Sequence, residues 1–391
     1  MKIIFLDLHN TNFLVRPLKQ IIYRNKIKSF KHKFLLDYAI NRHMKVYDLI
    51  LQKKYPAGPK GFFYRTFVRE MAAVTLCLNG YKKNQISLLN VCDTIQDDDI
   101  VIAYSHNEEQ LRYLEQLQCK KVVMGNHFIK IGKYSDLSAL GVNAYVNEIN
   151  IAHNEFINLY YTLDNVKPLV MPYAFSKRFR SIRPFQERKN LALAIGTLSS
   201  VEGVSGYEKY KEYAKTNWIQ PMRKEILDKK DQLTDYIDSY ISYIHEDKTY
   251  EIKKNDFFLI KLYKKYYNKS HEWRQSKYTS FDMVEKFNEY KIAICPEELV
   301  GVPGIGFVEG MACGCAYIGL DHVMYTDLGL IPGKHYITYD GSLTDLTAQI
   351  EYYQKHPDLL EAIARNGYEF VIEHFHPEKI AEDFYKAISQ L

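Results

Sequence analysis

Short runs of consecutive apolar residues, each followed by a longer stretch with helical spacing, recur along this chain and constrain its fold more than any other feature. The runs lie at 2–8 (KIIFLDL), 99–104 (DIVIAY), 120–125 (KKVVMG) and 144–148 (AYVNE), then at 191–196 (LALAIG), 291–295 (KIAIC) and 315–319 (CAYIG). Helical patterns fall between them, at 107–117, 208–229 and 281–290. Strands apolar on both faces, alternating with helices, predict an α/β protein of parallel, doubly wound sheets with helices on both sides.

The alternation breaks once. Residues 167–187 (KPLVMPYAFSKRFRSIRPFQE) carry three prolines and no helical or strand period, and a fresh strand begins at Leu191. This stretch reads as the hinge between two domains, 1–175 and 188–375. The length of 391 residues suits such a division. Pro357 and Pro377 stand where helices start, and Ile380, Phe384 and Ile388 share one face of the second. That terminal helix, 376–391, is expected to pack back on the amino-terminal domain.

Composition narrows the function classes. Apolar residues make up 47% and charged ones 25%, which excludes wholesale disorder. A formal net charge of +5 is compatible with an anionic partner but is too small to argue for nucleic acid. The six cysteines, Cys77, Cys92, Cys119, Cys295, Cys313 and Cys315, form no C-x-x-C pair or zinc spacing, as expected of reduced thiols in a cytoplasmic protein. Asp7 interrupts the first apolar run, which is too short for a secretory signal, and no run of about 18 apolar residues follows. Asp97, Asp98 and Asp99 precede a strand instead of ending one, so no metal site is expected.

The most specific segment is 291–319, KIAICPEELVGVPGIGFVEGMACGCAYIG. A strand ends near Cys295, a loop holds Gly301, Gly304 and Gly306, and a helix covers roughly Phe307 to Cys313 before Gly314. Glycines bring backbone close to a ligand, and a helix start favours anionic groups. Glu309 lies in the first turn of that helix. A glutamate there is favourably placed for the helix alone, and it can also accept hydrogen bonds from two vicinal hydroxyls of a ribose.

The run from Gly304 to Gly314 (GIGFVEGMACG) resembles the donor-binding signature of GT-B glycosyltransferases, chiefly the retaining family 4, and 319–340 (GLDHVMYTDLGLIPGKHYITYD) is similar to that family's next conserved region. The likeness spans about 188–391. It implies two facing Rossmann-like domains, with a nucleotide-sugar bound mainly by the carboxyl domain and the acceptor by the amino domain. It implies donor contacts at Gly304, Gly306, Phe307, Val308 and Glu309, with Glu309 on the ribose. Two departures stand out. The family's first glutamate, which contacts the transferred sugar, would fall at Gly301, leaving Glu298 or Glu297 to take its place. The family's Arg and Lys for the diphosphate are replaced in 196–203 (GTLSSVEG) by Thr197 and Glu202. Hydroxyls of Thr197, Ser199 and Ser200, or cations such as Arg274 and Lys277, are the candidate substitutes. The alternative is a donor with one phosphate, a CMP-linked sugar.

In the amino half His9 (with Asn10), His106 and His127 follow the strands 2–8, 99–104 and 120–125. Ligands meet doubly wound sheets at such strand ends, so these residues are acceptor-side candidates. His127 is the leading one, as base or as orienting group for the acceptor hydroxyl. Residues 16–45 hold nine Lys or Arg against one acid, Asp37, with apolar residues between them. Such a surface suits an anionic membrane or simply solvent. The expected activity is transfer of a sugar to a glycan or lipid-linked glycan of a bacterial surface polysaccharide, lipopolysaccharide or capsule, at the inner face of the membrane and without a cofactor. Glucosylation of DNA bases and non-catalytic binding of a sugar-nucleotide are the other readings.

Overall fold

A computed structural model describes residues 1–6, 8, 33–50, 66–67, 69–70, 72–74, 76–77, 80–82, 84–90, 94–104, 108–125, 136–202, 208–243, 257–271, 281–298 and 302–391. The chain divides into two compact units. One comprises Met1–Met171 with Pro377–Leu391, the other Pro172–His376.

The first unit is built on a sheet of seven parallel strands: β1 (Ile3–Leu6), β2 (Val46–Ile50), β3 (Ser87–Asn90), β4 (Ile100–Tyr104), β5 (Lys120–Met124), β6 (Ala144–Asn147) and β7 (Lys167–Val170). Their order across the sheet is β3-β2-β1-β4-β5-β6-β7, so the chain reverses direction between β1 and β4. Ile3 to Leu6 and Ile100 to Ala103 are buried throughout. Burial on both faces is what continuous apolar runs require. Helices α1 (Lys33–Asn41), α2 (Glu108–Leu114) and α3 (Glu155–Tyr160) belong to this unit.

The second unit carries five parallel strands, β8 (Lys189–Leu198), β9 (Ile237–Tyr243), β10 (Tyr290–Ile294), β11 (Ala316–Leu320) and β12 (Ile337–Tyr339). Their order is β12-β11-β10-β8-β9, with the reversal between β8 and β10. Helices α4 (Glu208–Ala214), α5 (Pro221–Asp228), α6 (Phe258–His271), α7 (Met283–Asn288), α8 (Gly306–Ala312), α9 (Val323–Thr326), α10 (Leu343–Lys355) and α11 (Pro357–His374) follow in turn. Ile226, Leu346, Ile350, Leu360 and Ile363 pack against Ala192, Ala194, Ile292, Ile294, Ala316 and Ile318 of the sheet. The chain closes with α12 (Pro377–Ser389), whose Ile380, Phe384 and Ile388 are buried in the first unit. There the Tyr385 hydroxyl donates to the Leu35 carbonyl of α1 at 3.0 Å.

Two sequence expectations need correction. The stretch 167–187 is not structureless: its first four residues are β7, an exposed edge strand. Pro168 removes a donor there, which an edge tolerates and a central strand does not. The helix expected over 208–229 is two helices, because 215–220 leaves helical geometry and Pro221 restarts it at its first position. Among the described residues no helix is long and apolar enough to cross a membrane, and no group of three or more metal-ligating side chains forms.

Candidate functional site

Ligands in doubly wound sheets meet the carboxyl ends of strands where the strand order reverses. In the second unit that point lies between β8, ending in Gly196, Thr197 and Leu198, and β10, followed by Cys295, Pro296, Glu297 and Glu298. A helix dips into it. In the first turn of α5, Arg223 is 5% exposed and spans both strand ends. Its Nε donates to the Pro296 carbonyl at 2.9 Å, its Nη1 to the Thr197 carbonyl at 3.0 Å, and its Nη2 reaches the Cys295 sulfur at 3.8 Å. Gly196 has φ +147°, and a Cβ there would sit 2.8 Å from the Arg223 Nε, so glycine is required twice over.

Beside Arg223, the buried Gln220 links two further segments. Its Oε1 accepts from the Ser199 amide at 3.0 Å and its Nε2 donates to Glu298 Oε1 at 2.9 Å. Thr197 and Ser199 spend backbone groups on this frame. Among the described residues no hydrogen bond engages either hydroxyl.

The glycine loop packs from above. A Cβ on Gly304 would lie 2.8 Å from the Cys295 sulfur and 3.1 Å from Arg223 Nη2, and one on Gly306 would lie 2.8 Å from the same sulfur. These two glycines are therefore small because Cys295 and Arg223 press against them. Gly314, at φ +77°, ends α8 as a left-handed residue. Phe307 and Val308 are fully buried, and the Phe307 ring lies against Tyr317, Tyr325 and Phe375 with centroids 5.7 to 6.1 Å away. Their side chains belong to the core of the second unit.

The three acidic candidates divide by environment. Glu297 is buried and fully engaged: it accepts from the Leu320 amide at 2.9 Å, from the Tyr339 hydroxyl at 3.2 Å, and from the Tyr325 hydroxyl. Burial raises its carboxyl above the ordinary range, against the pull of those donors. Glu298 is buried against Gln220. Glu309 differs from both. Its side chain keeps some solvent contact, and among the described residues none donates a hydrogen bond to its carboxylate. Burial pushes its carboxyl up to about 7, while the guanidinium of Arg178 pulls the other way. Carboxyl groups raised by burial cluster at functional sites.

Sequence reading missed Arg223 and Gln220. One signal was present: Arg223 shares the buried face of α5 with Met222 and Ile226, where an amphipathic helix ordinarily places apolar groups. Of the other candidates, Arg274 and Lys277 lie outside the described residues, as do His9, Asn10, His106, His127 and most of 16–45. The strands that precede the three histidines, β1, β4 and β5, are neighbours in that order, which brings their carboxyl ends together beside the reversal of the first sheet. The described cysteines, Cys77, Cys119, Cys295, Cys313 and Cys315, are all free thiols. Burial raises Cys295, and pushes Cys315 up to about 12, which favours unreactive thiols.

Residues 254–386 match the family model described as "Glycosyl transferase-like". No curated protein matches the sequence. Among solved structures, HepE of Anabaena in complex with UDP and glucose is 11% identical, with both chains covered completely and a TM-score of 0.52. Sucrose-phosphate synthase of Thermosynechococcus elongatus is 13% identical over 100% of this chain and 98% of its own, at 0.50. A glycosyltransferase from Rickettsia africae is 11% identical over the same shares, at 0.50. The likeness at these identities is one of fold, and that fold is GT-B.

Proposed function

We propose that this glycosyltransferase draws its sugar from a nucleotide-sugar held by the second unit, with Glu309 accepting both hydroxyls of the donor ribose. The observation that carries the reading is Glu309 itself. It is a mostly enclosed carboxylate with no hydrogen-bond donor among the described residues, one turn beyond a glycine loop at the end of β10. A ribose diol supplies two donors where the described residues supply none. Thr197 and Ser199 add hydroxyls at the neighbouring end of β8.

HepE, described with UDP, makes uridine the first nucleoside to try. Thermal unfolding in the presence of UDP, GDP, ADP, CMP and TDP tests the reading. A ligand at a hundred times its Kd stabilises the folded state by about 2.7 kcal/mol, so one nucleotide is expected to raise the Tm by several degrees. A flat response to all five would remove the reading.

The acceptor we assign is a glycan or lipid-linked glycan of a bacterial surface polysaccharide, lipopolysaccharide or capsule, glycosylated with retention at the cytoplasmic face of a membrane. Helix α6 supports the membrane part. Phe258, Ile260, Leu262 and Tyr263 are 47 to 68% exposed, Lys261, Lys264 and Lys265 lie among them, and the helix has no acidic residue. Apolar groups interleaved with lysines suit an anionic bilayer surface, where each basic residue adds about 1 kcal/mol. The chain is expected to sediment with vesicles containing phosphatidylglycerol, less so as salt rises, and not with pure phosphatidylcholine. Equal sedimentation with both would contradict this placement.

A further inference from the structure

Resting on that nucleotide-sugar reading, we infer that Arg223 forms the diphosphate-binding site of the donor, so that the ligand is a nucleoside diphosphate sugar and not a monophosphate one. The absence of the expected Arg and Lys after β8 leaves two phosphate charges to be met by other groups. Arg223 is placed to meet them. Its guanidinium lies at the carboxyl ends of β8 and β10, the reversal point of its sheet, and is flanked by Gly196 and Gly304.

Three comparisons within the molecule favour this role over a purely structural one. First, the guanidinium has no carboxylate within ion-pair distance among the described residues, although it is 95% removed from solvent. A buried cation without a counter-ion is costly, and an anionic ligand offsets that cost. Second, its contacts with the described residues use three of its five N–H groups, on two carbonyls and a thiol. The remaining two form part of a fork suited to a phosphate.

Third, the bridging itself does not need charge. In the first unit the matching reversal point, between β1 and β4, is spanned by Gln110 of α2. Its Nε2 donates to the Leu6 carbonyl at 2.6 Å and its Oε1 accepts from the Tyr104 amide at 2.8 Å. A neutral side chain does the same mechanical task there. The other buried arginine among the described residues, Arg188, immediately precedes β8 and so lies at the opposite, amino end of the sheet. Its donors are taken by the Arg183 carbonyl, Ser181, Asn288 and Cys315. Among the described residues Arg223 alone is a buried arginine that combines a spare fork with the ligand-facing edge.

Calorimetric titration of wild type, Arg223→Gln and Arg223→Lys with uridine, UMP, UDP and inorganic pyrophosphate tests the site, with the matching series used if another base stabilises better. Wild type is expected to bind UDP at least a hundredfold tighter than uridine, and to bind pyrophosphate alone. Arg223→Gln should lose most of that ratio and the pyrophosphate binding, with uridine affinity unchanged. Should the Gln variant fail to fold, Arg223→Lys keeps the charge but not the fork, and should lose about tenfold for UDP and nothing for uridine. A folded variant that keeps the wild-type ratio and pyrophosphate affinity overturns the inference, as does a wild type that prefers UMP to UDP. A wild type that binds pyrophosphate through Arg223 but no nucleoside would leave the anion site standing and refute the donor reading instead.

Discussion

Replacing Glu309 by alanine is expected to lower kcat/KM for the donor by about a thousandfold while leaving the unliganded protein as stable as wild type or more so. The size follows from the bonds removed. A carboxylate accepting two ribose hydroxyls makes two charge-assisted hydrogen bonds of about 1.5–3 kcal/mol each, so about 3–6 kcal/mol is lost. The lack of a stability cost follows from the environment: among the described residues nothing hydrogen-bonds to this carboxylate, and its burial is unfavourable when it is ionised. Steady-state kinetics and thermal unfolding of the same preparation decide it. A wild-type rate, or a loss of rate matched by a large fall in Tm, would contradict the assignment.

The raised carboxyl gives the same residue a signature in pH. In the unfolded chain a glutamate ionises near 4.5, whereas folded Glu309 holds its proton up to about 7. Between those values the folded state binds more protons, so this group's contribution is largest below 4.5, falls as pH rises towards 7, and is level above. The difference in stability between wild type and Glu309→Gln should therefore change between pH 5 and 7 and stay constant from 7.5 to 9. Nucleoside binding runs the opposite way. It needs the ionised form, so wild-type affinity should climb through pH 7 and the Gln variant should show no such climb.

The place of Glu309 in the first turn of α8 was legible from sequence because its signature is local: glycines, a short helix and the next strand all fall within 304–320. The central strands were legible for a similar reason, since runs such as LALAIG and DIVIAY are buried on both faces. What escaped was either marginal or non-local. Strand β9 lies at a sheet edge and interleaves Asp238, Ser239 and Ser242 with its apolar residues, while β12 has only three residues. In β2 the apolar run is broken by Asp48, which is buried because it accepts the Leu8 amide at 3.0 Å. Arg223 meets Thr197 across 26 residues and Pro296 across 73, and no spacing rule carries that far. Glu297 and Glu298 are adjacent in sequence yet face different partners, which only the fold determines.

That adjacency sets up the other large effect. Glu297→Ala is expected to destabilise the second unit by about 4 kcal/mol, lowering its Tm by roughly 10 °C, whereas Glu309→Ala spares stability and removes binding. Glu297 joins the carboxyl ends of three strands: it follows β10, accepts the last amide of β11 at Leu320, and accepts the Tyr339 hydroxyl from β12. Tyr325 of α9 donates to it as well, and Tyr325 and Tyr317 share a hydroxyl contact of 2.8 Å while Tyr317 donates to the Cys295 carbonyl at 3.2 Å. Burial holds these phenols well above their ordinary pKa, so they remain protonated donors. Alanine would strand three donors, the hydroxyls of Tyr325 and Tyr339 and the Leu320 amide, at about 1–3 kcal/mol for each orphaned donor before relaxation. Glutamine keeps an acceptor oxygen and the volume, so Glu297→Gln should lose only about 1 kcal/mol and bind nucleotide within threefold of wild type. Chemical denaturation and nucleotide titration of both variants distinguish the two glutamates: a stable Glu297→Gln protein without nucleotide affinity would place Glu297 on the donor, and the tyrosine network would then be its positioning frame instead of its purpose.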